Sequence, residues 1–189
     1  MQATSGKMTD EEIVKQVQNG DDDAFATLID RYEHKLIRYA HRFLFYDRDS
    51  VEDVVQEVFI KVYVNIESFD ATRKFSSWIY RIAHNELIDT VKKNRERPLS
   101  FFDPDILFPH PIAREFADRE ILEAETKQIL EQSLAKIDHK YREVLILYYF
   151  DNMDYNDIAD ILHIPVSTVG VRLRRARAAM RKLINKLDQ

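Results

Sequence analysis

Apolar positions recur along this chain with the period of a helix. Between Ser50 and Ile66 the apolar side chains step by three and four residues, so they share one face of a helix. Those apolar positions are Val51, Val54, Val55, Val58, Phe59 and Val62. Three aspartates, Asp21 to Asp23, precede a second such stretch and suit the N-terminal cap of a helix. Strand-like alternation persists nowhere, so the pattern predicts an all-α fold.

Interruptions in the helical pattern divide the chain into two predicted domains and a linker. Residues 9–97 form the first small helical domain, whose last helix begins near Phe75 and stops at Pro98. Residues 98–124 form the linker, which is interrupted by proline and rich in aromatic residues, so we expect it to dock on another surface. Residues 125–189 contain four further helical segments. The predicted architecture is two small all-helical domains joined by a linker.

The composition narrows the classes of protein that fit. Of the 189 residues, 45% are hydrophobic and 32% are charged, which is typical of a folded, helix-rich chain. Because there is no cysteine, disulfides, thiolate metal sites and a cysteine nucleophile are excluded. The N-terminus lacks an apolar signal core and no run of about 18 apolar residues occurs, so we expect a soluble, cytoplasmic protein. The net charge of −5 is unusual for a self-sufficient DNA-binding protein, so any DNA contact must use local cations or another molecule.

The second domain contains the pattern of a helix-turn-helix motif, whose second helix enters the major groove of DNA. The residues that would pack its two helices are Ile158, Ala159 and Leu162 in the first and Val166, Val169 and Leu173 in the second. A three-residue break, His163 to Pro165, separates them. His163 stands at the turn position that glycine most often takes. Histidine tolerates left-handed backbone better than most residues, so we expect the turn to form.

A run of cations follows the motif and supports DNA binding. It consists of Arg172, Arg174, Arg175, Arg177, Arg181, Lys182 and Lys186, with no acid between them. Clustered cations release counterions from phosphates, and arginine can also fork onto a guanine edge. A basic run by itself fits a solvated amphipathic helix equally well. Directly after a helix-turn-helix pattern, it favours DNA.

Aromatic and cationic residues are also interleaved near the end of the first domain. Trp78 is spaced with its apolar neighbours and is predicted to lie in the core. Tyr80 lies off that face and is the better candidate for an exposed aromatic ring, with Arg81 and His84 on its side. Aromatic rings among cations suit single-stranded nucleic acid, which they bind by base stacking and phosphate contact.

Three segments together resemble the extracytoplasmic-function subfamily of bacterial RNA polymerase sigma factors. They are "DVVQEVFIKVY" from Asp53, "FSSWIYRIAHNELIDTVKKNR" from Phe75 and "YNDIADILHIPVSTVGVRLRRARAAM" from Tyr155. The order and spacing of these three segments match those of the subfamily, and the resemblance covers nearly the whole chain except the linker. It implies that residues 9–97 are sigma region 2 and residues 125–189 are region 4. The expected function is to bind core RNA polymerase and direct promoter-specific initiation of transcription.

The resemblance implies three binding surfaces. The first docks on the clamp helices of the polymerase beta-prime subunit and consists of Asp53, Gln56, Glu57, Phe59, Ile60 and Tyr63. The second recognises and melts the −10 element, flips a base into a protein pocket, and consists of Ser68, Asp70, Thr72, Arg73, Lys74, Tyr80 and Arg81. The third reads the −35 element through Ser167, Thr168, Gly170, Val171, Arg172, Arg174 and Arg175. Without the resemblance, the first surface would be interpreted as a solvated face.

The resemblance also implies partners, and the chain departs from the family's pattern at one position. The partners are core RNA polymerase (beta-prime clamp and beta flap), promoter DNA, and an anti-sigma factor that is often membrane-tethered and would hold the chain at the membrane. Gly170 departs from the lysine or arginine that is common at its position, so one DNA contact is expected to be missing. Glycine also costs about 1 kcal/mol of helix propensity relative to alanine.

Three other functional classes compete with this interpretation. A DNA-binding regulator that acts without polymerase, such as a repressor, accounts for the helix-turn-helix motif but leaves the surfaces of the first domain unexplained. An enzyme finds no support, because the histidines lack metal-ligand spacing and neither a phosphate-binding glycine loop nor a nucleophile–base pair occurs. We therefore expect no catalytic residue, metal or cofactor. A pure protein-interaction module is partly contained in the sigma-factor interpretation.

Overall fold

The computed structural model describes residues 8–44, 48–95 and 133–187. Every regular element in these three ranges is helical, which confirms the predicted all-α class. The predicted linker, residues 98–124, lies outside the described residues.

The described N-terminal unit is a bundle of four helices. They are α1 (Asp10–Gln18), α2 (Asp23–Leu44), α3 (Arg48–Asn65) and α4 (Phe75–Arg95), and a 3₁₀ turn (Ile66–Ser68) follows α3. Helix α2 packs against the other three helices, and α3 also packs against α4. The predicted apolar face of α3 is confirmed, because the valines at its inner positions are buried or half-buried. Each fully buried aliphatic side chain contributes about 1.5–3 kcal/mol relative to an exposed one.

The first two helices begin where the sequence places caps. Thr9 and Glu12 form a capping box, in which each side chain accepts a hydrogen bond from the other residue's backbone N–H. Helix α2 begins at Asp23, and the Asp21 carboxylate accepts a hydrogen bond from the Ala24 N–H at 3.3 Å. The capping role predicted for the aspartates is therefore present at Asp21.

The described C-terminal unit begins with a helical turn at residues 133–136. Helix α5 (His139–Leu145) follows and runs directly into a π-helical turn (Ile146–Phe150). Helices α6 (Tyr155–Leu162) and α7 (Val166–Leu187) complete the unit, and α7 packs against both α5 and α6. Helix α6 and the start of α7 form the predicted helix-turn-helix motif.

His163 adopts the left-handed conformation that the sequence predicts for the turn of this motif, with φ 51° and ψ 46°. The packing of the motif matches the prediction at five of the six positions, where the side chains are buried or half-buried against the core. It differs at Val166, which is 43% exposed, and Ile161 is a further buried residue that was not predicted. Val166 is the first residue of α7 and lines a cleft between the two units, so it lies at the edge of the hydrophobic core.

The two units pack directly against each other in the described residues. Helix α4 of the N-terminal unit runs along α6 of the C-terminal unit, and α2 contacts the π-helical turn. At the second contact the Arg42 guanidinium lies 4.2 Å from the centre of the Phe150 ring. Helix α2 also meets the start of α5, where the Phe43 and His139 rings lie edge to face at 4.6 Å.

No helix among the described residues has the length and apolarity needed to cross a bilayer.

We predict that glycine at position 163 gives a more stable protein than alanine there, by about 1 kcal/mol, because a Cβ clashes in left-handed backbone. At Ala178, which lies inside α7, the order should reverse by about 1 kcal/mol. Chemical unfolding of His163→Gly, His163→Ala and Ala178→Gly measures both differences. Equal stability of the two position-163 variants would contradict the backbone argument.

Candidate nucleic-acid and protein interfaces

The outward face of α3 carries the polymerase-binding residues predicted from the sequence. Asp53, Gln56, Glu57, Ile60 and Tyr63 are all exposed along this face. The sixth predicted residue, Phe59, is an exception. Only 8% of it is exposed, because its ring turns inward and meets the Phe25 ring edge to face at 6.5 Å.

The exposed face of α3 combines acidic and apolar side chains. Ile60 and Val64 are 57% and 72% exposed, so the acidic half of the face continues into an apolar patch. The Tyr63 hydroxyl donates a hydrogen bond to Asp22 at 2.9 Å, which fixes its ring at the edge of that patch and raises its pKa. An exposed apolar patch bordered by charge is typical of a protein-binding surface.

The next helix holds α3 in place from behind. Lys61 donates a hydrogen bond to the buried Glu86 carboxylate of α4, and this bond raises the pKa of Lys61. The side chain of Lys61 is therefore committed to the bundle, and the outward face of α3 keeps its acidic character.

The loop between α3 and α4 is ordered by its own hydrogen bonds. The Asp70 carboxylate accepts bonds from the backbone N–H and the hydroxyl of Thr72, at 2.9 and 2.8 Å, and these bonds lower the pKa of Asp70. Gln18 donates its side-chain amide to the Ile66 and Phe69 carbonyls at 2.7 and 2.9 Å. The exposed residues of this loop are thus presented on a fixed backbone; they are Ser68, Asp70, Thr72, Arg73 and Lys74.

The prediction for the two aromatic residues of α4 is wrong for Tyr80. Its ring is 1% exposed and packs against the Tyr39 ring, with centroids 5.2 Å apart. Its hydroxyl donates a hydrogen bond to Asp151 of the C-terminal unit at 2.7 Å. Trp78 is only half-buried, beside the Phe69 ring at 4.8 Å, and lines the cleft between the units. Trp78 is therefore the more accessible ring.

The predicted −10 cations contact carboxylates of the C-terminal unit. Arg73 pairs with Asp160 at 2.9 Å. The Lys74 ammonium donates to Asp154 and Asp157, at 2.9 Å to each carboxylate. Together with Trp78, Arg81 and Val166, these groups line a cleft of about 510 Å³ between the loop and the helix-turn-helix motif.

Asp157 also accepts a buried hydrogen bond from the Ser77 hydroxyl at 2.8 Å. Its second carboxylate oxygen accepts the Asp154 backbone N–H at 3.3 Å, while Asp154 accepts the N–H groups of Asn156 and Asp157. The carboxylates that cap α6 are therefore the same ones that bind the N-terminal unit.

Sequence reasoning missed the aspartates that face the N-terminal unit. They are Asp151, Asp154, Asp157 and Asp160, three residues apart from one to the next, and we call them the aspartate edge. The cap formed by Asp154 could have been found from the residue type just before the apolar positions of α6. The pairing with cations about 80 residues earlier has no signal in a single sequence.

The outward side of α7 carries most of the residues predicted to read the −35 element. Ser167, Val171, Arg174 and Arg175 are exposed and Thr168 is half-buried. Two of the predicted residues point elsewhere. Gly170 faces Tyr155, whose ring would lie 3.6 Å from an added Cβ, and the Arg172 guanidinium lies 4.0 Å from the Glu143 carboxylate.

The three predicted surfaces are thus spread over both units. One lies on α3, one on the loop before α4, and one on α7. Among the described residues, no group of three or more histidine, aspartate or glutamate side chains is placed to hold a metal ion. A helical protein with a helix-turn-helix motif, and with an aromatic–cationic cleft beside that motif, belongs to the class of DNA-binding transcription proteins.

Comparisons with known proteins define the class further. Residues 28–97 match the model of sigma-70 region 2, and residues 127–180 match that of sigma-70 region 4. The chain is 37% identical to the ECF RNA polymerase sigma factor SigW of Bacillus subtilis (strain 168), over 92% of this chain and 96% of that protein. It is 34% identical to the ECF RNA polymerase sigma-E factor of Escherichia coli (strain K12), over 97% and 98% of the two chains.

Solved structures agree with these matches. CnrH in complex with the cytosolic domain of CnrY has a TM-score of 0.70 and 26% identity, over 94% of this chain and 97% of that chain. The sigma factor RpoE of Bartonella quintana in complex with the anti-sigma factor NepR has a TM-score of 0.66 and 26% identity, over 87% and 98%. The chain belongs to the extracytoplasmic-function subfamily of bacterial RNA polymerase sigma factors. It binds core RNA polymerase and promoter DNA and directs promoter-specific initiation of transcription.

The interface between the units contains one carboxylate with a strongly shifted pKa. Burial raises the pKa of Asp151 to about 6, while the Tyr80 hydrogen bond and the cations Arg42, Arg38 and Lys35 act in the opposite direction. One carboxylate oxygen of Asp151 is buried without a hydrogen-bond partner among the described residues. Because folding raises the pKa of Asp151, its carboxyl group binds a proton in the folded state but not in the unfolded state between about pH 4 and pH 6. The stability from this proton is complete below that range and is lost as the pH rises through about 6.

We predict that Asp151→Asn stabilises the protein relative to wild type at about pH 8, because asparagine can accept the Tyr80 bond without burying a charge. The gain should shrink toward about pH 4.5, and the difference between the two pH values should be at most about 3 kcal/mol. Chemical unfolding of both proteins across this range measures it. Asp138→Asn, at an exposed cap, is the control. A gain that does not change with pH would contradict the assignment to Asp151.

Proposed function

We propose that this sigma factor docks on core polymerase through the outward face of α3. The observation that supports this is the joint exposure of Asp53, Gln56 and Glu57 next to the apolar side chains of Ile60 and Tyr63. Acidic groups at the edge of an apolar patch suit a partner surface that carries basic residues, with apolar burial supplying affinity and charge supplying orientation. Phe59 supports this face from below rather than touching the partner.

The C-terminal unit offers a second surface for the polymerase. A groove of about 570 Å³ lies between the π-helical turn and α7, and Leu145, Tyr149, Phe150 and Met180 are among the residues that line it. An apolar groove of this size accepts the side chains of a helical element. We assign it to the beta flap.

For the −10 element, we assign the fixed loop from Ser68 to Lys74 and the adjoining cleft. Trp78 offers a ring on which a flipped base can stack, and Arg73, Lys74 and Arg81 offer charge to its phosphates. Tyr80 reaches DNA only after the C-terminal unit moves away, because Asp151 covers its hydroxyl.

For the −35 element, we assign the outward side of α7. Ser167 and Thr168 lie at the N-terminal end of the recognition helix, where contacts to base edges and phosphates are made in this class of motif. Among the described contacts, neither Arg174 nor Arg175 pairs with an acidic side chain on the outward side. Arg175 donates a hydrogen bond to the Tyr141 hydroxyl at 3.4 Å, which restricts its side chain. Arg172 faces Glu143, so it supports the fold of the unit more than the DNA contact.

We further propose that an anti-sigma factor holds the chain inactive by covering these surfaces, and that the chain works in the cytoplasm by binding, without catalysis of its own. Two similar solved structures are complexes, that of CnrH with the cytosolic domain of CnrY and that of RpoE with the anti-sigma factor NepR. Run-off transcription with core polymerase on genomic fragments tests the function as a whole. Initiation at no specific site would overturn it.

We predict that Asp53→Lys combined with Glu57→Lys abolishes binding to core polymerase while leaving the fold intact, because both side chains are exposed and the change reverses the charge of the docking face. Pull-down with core polymerase measures binding, and circular dichroism checks the fold. Asp30→Lys with Glu33→Lys, on the exposed side of α2, makes the same change in net charge and should bind normally. Normal holoenzyme formation by the α3 variant would remove the docking assignment.

We predict that Arg175→Ala weakens recognition of the −35 element by about 1–3 kcal/mol, the value of one bidentate contact to a base edge. Lys182→Ala, further along the exposed side of α7, is the control and should lower affinity only slightly and without sequence preference. Competition between promoter fragments in holoenzyme transcription measures the effect. An unchanged order of promoter preference in Arg175→Ala would refute the assignment.

A further inference from the structure

Helix α1 contacts both ends of the loop that the proposed function assigns to the −10 element. It packs against α2, the 3₁₀ turn and α4. None of the residues predicted to bind polymerase or DNA belongs to α1, and the match to sigma-70 region 2 begins only at residue 28. Neither the sequence pattern nor the family match therefore gives this helix a role in promoter recognition.

Gln18, the last residue of α1, holds the first end of the loop. Its side-chain amide donates to the Ile66 carbonyl at 2.7 Å and to the Phe69 carbonyl at 2.9 Å. Both bonds can form at once because the amide nitrogen carries two hydrogens. One amide group thus joins the carbonyl at the start of the 3₁₀ turn to the carbonyl just after it. Without Gln18, these two backbone acceptors would lose that donor at a part-buried position.

Glu11 holds the second end of the loop, where α4 begins. Its carboxylate accepts a hydrogen bond from the backbone N–H of Phe75, the first residue of α4, at 2.8 Å. The first N–H groups of a helix have no acceptor within that helix, and the helix dipole favours a carboxylate beside them. A side chain of α1 therefore caps α4 from outside.

Both contacts come from one side of a single anchored helix. Glu11 and Gln18 are seven residues apart, which is about two turns, or about 10 Å, along a helix. The start of α1 is tied to α2, because the Asp10 carboxylate accepts hydrogen bonds from Arg31 and from the Tyr32 hydroxyl at 2.5 Å each. The apolar face of α1 is buried. The two loop ends are thus held at a fixed separation.

The loop projects from the bundle between these two anchors. The Phe69 and Phe75 side chains are buried, and their rings meet edge to face at 5.7 Å. The exposed residues between them are Asp70, Thr72, Arg73 and Lys74. Because α1 fixes the backbone at both ends, it also restricts the directions in which these side chains can point. Groups that are ordered before binding pay less conformational entropy when a base arrives.

We propose that α1 is a brace for the −10 loop, in which Gln18 and Glu11 are positioning residues for base recognition. This inference rests on the proposed assignment of the loop to the −10 element. Neither side chain has to touch DNA, since each fixes the backbone of residues that do. Loss of either contact should lower discrimination among −10 sequences and leave binding to core polymerase and preference at the −35 element unchanged.

Paired substitutions separate the hydrogen bonds from the bulk of the side chains. Gln18→Met keeps an unbranched side chain of similar length and removes its donors, whereas Gln18→Lys supplies donors again. Glu11→Met removes the acceptor at the start of α4, whereas Glu11→Gln keeps an acceptor oxygen. Gln16→Met is the matched control, because Gln16 is an exposed glutamine of the same helix.

The first measurement is the fluorescence of Trp78, the only tryptophan in the chain. Its ring lies beside that of Phe69, with centroids 4.8 Å apart, so its emission reports on the loop without a label. In the folded protein, Gln18→Met should shift this emission to longer wavelength and increase its quenching by acrylamide. Gln16→Met and Gln18→Lys should behave as the wild type does. Unchanged emission and quenching in Gln18→Met would overturn the brace.

The second measurement is competition, in holoenzyme transcription, between promoter fragments that differ only in the −10 element. Gln18→Met and Glu11→Met should each reduce the preference for the best −10 sequence by about 3- to 10-fold, as expected for the loss of a hydrogen bond. Gln18→Lys and Glu11→Gln should restore the preference. An equal loss of transcription from every fragment would show that α1 only stabilises the fold, and would overturn the proposal.

A substitution in the loop itself separates this inference from the −10 assignment on which it rests. Asp70→Ala should reduce the same preference, because Asp70 orders the loop through Thr72 and is assigned to the −10 surface. If Asp70→Ala reduces it and Gln18→Met does not, the brace fails and the assignment stands. If neither does, the −10 assignment of the loop fails, and the Trp78 emission still reports separately whether α1 holds the loop.

Discussion

The ammonium group of Lys74 bonds to both carboxylates that cap helix α6, and this interaction joins the two units at the residues that start that helix. Asp154 accepts the N–H groups of Asn156 and Asp157, and Asp157 accepts the Asp154 N–H, so both carboxylates take part in capping the start of α6. The pKa of Asp154 is lowered to about 2 by the Asp157 N–H and by Lys74, so this carboxylate is ionised at neutral pH. A requirement of local helix structure thus supplies a permanent charge at the boundary between the units.

The sequence predicts the helices well because helical periodicity is a local property. The buried face of α3, the aspartate cap of α2 and the left-handed His163 were all visible in neighbouring residues. The burial of Tyr80 was not, because it depends on Asp151, which lies 71 positions away in the chain. Periodicity identifies which side chains share a face, but it does not tell which distant element covers that face.

The same limit applies to the predicted sites. The residues of the three predicted surfaces came from a resemblance in order and spacing, and the structure places most of them on exposed faces. Phe59 and Arg172 turn away from those faces because Phe25 and Glu143 lie on their inner sides. Part of the net charge of −5 can now be located, since the four acids of the aspartate edge line the contact with the N-terminal unit. A count of charges gives no position for any of them.

Gly170 shows how such a scaffold can diversify. A side chain added there would meet Tyr155 at 3.6 Å, an ordinary van der Waals contact, so nothing in the packing of the motif demands glycine. Because the added side chain would begin on the side of Tyr155 and not on the outward side of α7, an exchange here acts first on the stability of the recognition helix. One codon can thus stiffen the DNA-reading helix while the rest of the polypeptide continues to fold and to meet the polymerase as before.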